Sequence, residues 1–141
     1  RQRIKNHIIM KYYFNTTVSG NFEAIIEKVT QLLKNEGFGI LTQIDIQQIL
    51  KNKLDVDFKK YKILGACNPP FAYEALQQED KIGTMLPCNI IVQELEKNKI
   101  EVAAINPMVS MQAVKNEKLG NIAQQVSKKL ENVISNLKNE K

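Results

Sequence analysis

The sequence predicts an α+β domain, an antiparallel sheet of about five strands with a long helix at the C-terminal end packed across one face. Three observations carry that expectation. Short segments rich in aromatic and β-branched residues recur along the chain. Two of them are joined by a tight Glu96-Lys97-Asn98 turn. The last part of the chain carries one apolar stripe at helical spacing.

Taken in order, Lys11–Val18 (KYYFNTTV) reads as a strand, because aromatic and β-branched side chains fit a pleated, half-buried surface. Ser19-Gly20-Asn21 interrupts it and supplies a cap. Phe22, Ile25, Ile26, Val29, Leu32 and Leu33 then fall on one helical face, and Gly37 ends the run. Phe38–Thr42 is a second strand. Asp45 with Gln48 makes a capping pattern for a short helix to about Lys53, with Ile46, Ile49 and Leu50 expected inward.

Phe58–Cys67 is the third strand. Pro69-Pro70 opens a helix, where the missing N–H groups are not needed, and Phe71, Ala72, Ala75 and Leu76 form its expected buried side. Pro87–Leu95 and Lys99–Ile105 form a hairpin. Asn106-Pro107 starts a helical turn bearing Met108, Met111 and Val114. From about Lys118 a final helix places Leu119, Ile122, Ala123, Val126, Leu130, Val133, Ile134 and Leu137 on one stripe.

Composition narrows function. The 141 residues, 43% hydrophobic and 25% charged, suit one folded domain. Of the net charge of +5, Arg1, Arg3 and Lys5 supply +3, and both arginines of the chain lie in that leader. Nucleic-acid recognition leans on arginine, so no nucleic-acid partner is expected. No run reaches the ~18 apolar residues that span a bilayer, so no membrane association is expected either. Residues 1–9 read as a leader or an added extension, with Met10 as the candidate start and 10–141 as a single domain. Two cysteines in a chain of this size read as reduced thiols in a cytoplasmic protein.

Familiar catalytic signatures are missing. The chain has no glycine-rich phosphate loop, HExxH pair or GxSxG elbow, and its only histidine, His7, lies in the leader. What remains is Gly65-Ala66-Cys67-Asn68-Pro69-Pro70 and Leu86-Pro87-Cys88-Asn89. Cys67 stands where a strand gives way to a helix, a position where free N–H groups and the helix dipole favour a thiolate. Cys67 and Cys88 are therefore the candidate catalytic residues, set against the bland reading that free Cys is usually a small buried hydrophobe. Met85 with Cys88 suggests a thioether–thiolate pair for Cu(I), although methionine more often fills core gaps. No metal site or cofactor is assigned.

These motifs resemble domain of unknown function family 302. The likeness runs from Lys11 into the final helix through EGFGILT (36–42), Ile44-Asp45, YKILGACNPP (61–70), Ala72-Tyr73, Leu86-Pro87-Cys88-Asn89 and Asn106-Pro107-Met108. It implies a curved antiparallel sheet of the TATA-binding-protein-like type, with the last helix across it, and a homodimer. It implies no activity. The chain departs at Asp55, where the family tends to have glycine, which bears on one local turn. Asn68, Asn89, Tyr73 and Asp45 fall in these motifs and are the candidate ligand-binding residues, with Asp45 read first as a helix cap. The functional expectation is a dimeric module binding a small ligand or partner around the two Cys-Asn motifs. The alternative is a thiol-dependent redox, sulfur-handling or soft-metal protein using Cys67 and Cys88. Antiparallel pairing of the strands that carry them would bring the two cysteines to one end of the sheet, within about 10 Å.

Overall fold

The computed structural model describes residues 11–139, so the predicted leader at 1–9 lies outside the described residues. Five strands, β1 (Tyr13–Ser19), β2 (Gly39–Asp45), β3 (Tyr61–Cys67), β4 (Cys88–Glu96) and β5 (Lys99–Ile105), form one open sheet in the order β1-β5-β4-β3-β2. Every neighbouring pair is antiparallel. The β4–β5 turn is closed by Asn98 at φ 62°, a left-handed conformation that Asn tolerates better than most residues.

Side chains alternate across a strand, so each strand gives every second residue to one face. Leu64 and Ala66 of β3, Ile90 and Val92 of β4, and Ile100, Val102 and Ala104 of β5 are buried on the face that carries the core. Helix α1 (Phe22–Asn35) and the 23-residue helix α5 (Glu117–Asn139) cover that face. All eight apolar stripe residues of α5 are buried, so its predicted inward face is the observed one. Each such side chain contributes roughly 1.5–3 kcal/mol when fully removed from water.

Asparagines fix the ends of the elements. Asn21 accepts from the Ala24 N–H at 3.0 Å and caps α1. Asn116 accepts from the Lys118 and Leu119 N–H groups at the start of α5, and its amide donates to the Gln78 carbonyl. Buried Asn106 accepts from the Ser127 hydroxyl at 2.7 Å and from the Met108 N–H, and donates to the Lys11 carbonyl. The short helix α4 (Pro107–Ser110), the edge strand β1 and α5 are thus locked together.

Several expectations need correction. Helix α2 (Ile46–Leu54) forms where predicted and is capped by Asp45, whose Oδ1 accepts from the Gln48 N–H at 3.0 Å. Its apolar residues are not core, however: Ile49 is 41% exposed and no residue of α2 is fully buried. The helix follows edge strand β2 and meets the sheet at β3, and none of its residues joins the core cluster under α1 and α5. β3 begins at Tyr61 rather than Phe58, and β2 runs on to Asp45 because it pairs with β3 along its whole length. A 3-10 segment, Asp80–Met85, has no counterpart in the sequence reading, although its Ile82 is buried. The turn at Asp55 adopts φ 54°, ψ 38°, the conformation glycine would take with less strain.

Candidate functional site

Helix α3 (Pro69–Gln78) starts directly after β3, with Asn68 as its N-cap residue and prolines at its first two positions. Its small residues Ala72 and Ala75 face the gap left beside α5. A cavity of about 310 Å³ occupies that gap, bounded by Ala66 and Cys88 from the sheet, Phe38 from the end of the α1 connection, Ala75 from α3, and Ile122 and Val126 from α5. Cys67 and Asn68 also line it, and Asn68 is the sole polar side chain apart from the thiols. No charged side chain lines it.

Two leucines stand at its mouth. β2 is irregular between Ile40 and Thr42, and the extra residue, Leu41, is 66% exposed while still lining the cavity. Leu76 lines it from α3 and is 42% exposed, which corrects its assignment to the buried side of that helix. A second cavity of about 240 Å³ lies beyond and shares Leu86, Pro87, Cys88, Pro107 and Met111 with the first. The Leu86-Pro87-Cys88 stretch is therefore the partition between the first cavity and a second, mostly apolar one that also has Thr84, Asn89 and Ser110 in its wall.

The two cysteines meet at one end of the sheet. Ala66 is the register partner of Cys88, which puts the Cα atoms of Cys67 and Cys88 about 6 Å apart by strand geometry. Both thiols are free. Burial pushes the Cys88 thiol up to about 11, with a further contribution from negative charge on nearby Cys67. The helix end beside Cys67 is poor in donors, because Pro69 and Pro70 have no N–H and the Ala72 N–H is taken by the Asn68 carbonyl.

The remaining candidates disperse. Asn68 donates to the Glu36 carbonyl at 3.1 Å and makes no cap bond to its own helix. A Cβ on Gly37 would sit 3.0 Å from its Nδ2, and Gly37 holds φ 92°, so Asn68 braces a turn that glycine suits best. Asn89 is exposed and stays out of the first cavity; it lines the second one beside Cys88 and a separate hollow, with Tyr13, Tyr61 and Glu101, on the sheet face opposite α1 and α5. Tyr73 is 67% exposed, its hydroxyl accepting from Gln77 and outside the cavity. Asp45 is an exposed cap. Met85 packs against the core and lines the second cavity beside Cys88. Sequence reasoning missed Leu41 and the apolar residues of the cavity wall, which read as ordinary core. The one available signal was the pair of alanines at 72 and 75 opposite larger side chains.

The domain-of-unknown-function family DUF302 matches residues 14–137. This chain belongs to the DUF302 family. A crystal structure of an uncharacterised conserved DUF302 protein from Bacillus stearothermophilus superposes with a TM-score of 0.82 at 28% identity, covering 89% of this chain and 98% of that one. No curated protein matches the chain. Among the described residues of this DUF302 chain, no group of three or more His, Cys, Asp or Glu could hold a metal ion, and no helix is long and apolar enough to cross a membrane.

Proposed function

We propose that this DUF302 chain is a binding module for a small apolar ligand, seated in the cavity beneath the GACNPP and LPCN motifs. The observation that carries the reading is the cavity itself. Ligand sites run to about 300–1,000 Å³ and are mostly apolar, and this one is of that size with no charged lining. An unpaired charge is costly to bury, so the part of the ligand that enters is uncharged. The Cys88 thiol serves as wall. A nucleophile or soft-metal ligand needs an accessible thiolate, and the buried Cys88 resists ionisation.

Titration with an environment-sensitive apolar fluorophore tests this. One saturable site per chain is expected, lost in Ala75→Leu, whose extra atoms would fill the space. Unchanged binding in that variant would place the probe elsewhere and remove the reading.

The module is a homodimer in this proposal, joined through the sheet face opposite α1 and α5. Cross-strand partners Ile44, Ile63, Ile91 and Ala103 make an apolar row across that face.

A further inference from the structure

Building on the apolar-ligand reading, we infer that the ligand is an unbranched alkyl or acyl chain, entering between Leu41 and Leu76, with its polar head left outside. Three features point to a chain rather than a compact ring. The mouth is marked by leucines from two separate elements, β2 and α3, each far more exposed than a core leucine. They extend the apolar surface outward, as a chain leaving the cavity requires. The cavity also adjoins a second, mostly apolar hollow across Leu86, Pro87, Cys88, Pro107 and Met111. Apolar surface thus continues from the leucines through the cavity to the wall it shares with that hollow. Finally, the lining offers one amide, Asn68, already engaged with the Glu36 carbonyl, and no charge that would hold a head group inside.

The partition sets the length. Taking a chain carbon as about the size of a water molecule, whose share of the liquid is about 30 Å³, the front cavity of about 310 Å³ holds roughly ten carbons. Met111 stands in the partition from the α4 side, and methionine is unbranched and readily repacks. Leu86, Cys88 and the rigid rings of Pro87 and Pro107 make up the rest. Met111 is therefore the specificity-determining residue: it stops the chain at the front cavity.

The test is a series of straight-chain alcohols, carboxylates and trimethylammonium amphiphiles of six to sixteen carbons, each below its micelle concentration, displacing the fluorophore from the full chain. Affinity should rise up to about fourfold per methylene, the value of one buried CH₂, and level off near ten carbons. The three head groups should agree within a few-fold at equal length. Met111→Ala should move the levelling point several carbons longer. Should that variant not fold, the levelling point and head-group indifference of the unaltered chain decide the matter alone. If ring compounds such as indole bind and Ala75→Leu blocks them, while chain length has no effect, the chain inference falls and the apolar module stands. If no chain or ring displaces the fluorophore, both fall. A rise with no levelling point means surface adsorption and overturns the inference.

Discussion

At the scale of single residues, Cys88 is the position where burial decides chemistry. Its folded thiol titrates near 11, above the ordinary value of 9.0. The neutral form is favoured by folding, so the sign is fixed: the contribution to stability is full below about pH 9 and is lost as pH rises through 11. Urea unfolding of the unaltered chain should therefore fall relative to Cys88→Ala between those values, by up to about 2 kcal/mol. Parallel profiles would mean that the thiol is not held neutral. Gly65 gives a second residue-scale outcome. A Cβ there would collide with the Thr42 Oγ1 and lie 2.8 Å from Pro87 Cγ, side-chain atoms on either side of β3, of which the proline ring cannot turn away. Gly65→Ala should cost roughly 1–3 kcal/mol, partly restored by adding Thr42→Ala. Neither role was visible in the sequence. Cys88 could be read as nucleophile or filler, and only its depth under α5 separates the two. Asn68 likewise looked like a ligand contact, and its bond to Glu36 depends on a turn 32 residues away.

At the scale of elements, legibility followed how far each segment's environment is set by its own pattern. Helix α5 was readable because one continuous stripe meets one continuous sheet face. Leu130, fully buried on that stripe, should lose about 2–5 kcal/mol as Leu130→Ala in thermal or urea unfolding. A cost below 1 kcal/mol would mean that α5 is loosely seated. The periodicity of α2 was equally clear and misled, since an amphipathic pattern says that a face is to be covered, not what covers it. Its Ile46 and Leu50 are only half-buried and its Ile49 is exposed. The 3-10 segment was unreadable for a different reason: six residues with one buried isoleucine carry no period. The outward Leu41 arises from a register irregularity that depends on β3, so no local pattern could announce it.

At the scale of the whole molecule, the layers are unequal. One sheet face is covered by α1 and α5, and the other carries the row Ile44, Ile63, Ile91 and Ala103, outside the buried core. Ile91→Asp places a charge at the centre of that row while leaving the core face untouched. Sedimentation at low micromolar concentration should show the unaltered chain as a dimer and Ile91→Asp as a monomer of similar melting temperature. A monomer in both would remove the dimer from the account. The cavity, by contrast, belongs to the covered side, between the sheet and α3 and α5, so the proposed ligand site and the proposed dimer face are different surfaces. The central claim is that this cavity takes an apolar ligand. Xenon tests it most directly, since apolar cavities admit the gas where polar ones hold ordered water. A crystal pressurised with xenon should show the atom among Ala75, Cys88 and Val126, and none in Ala75→Leu. Ordered water filling that space in place of xenon would contradict the account.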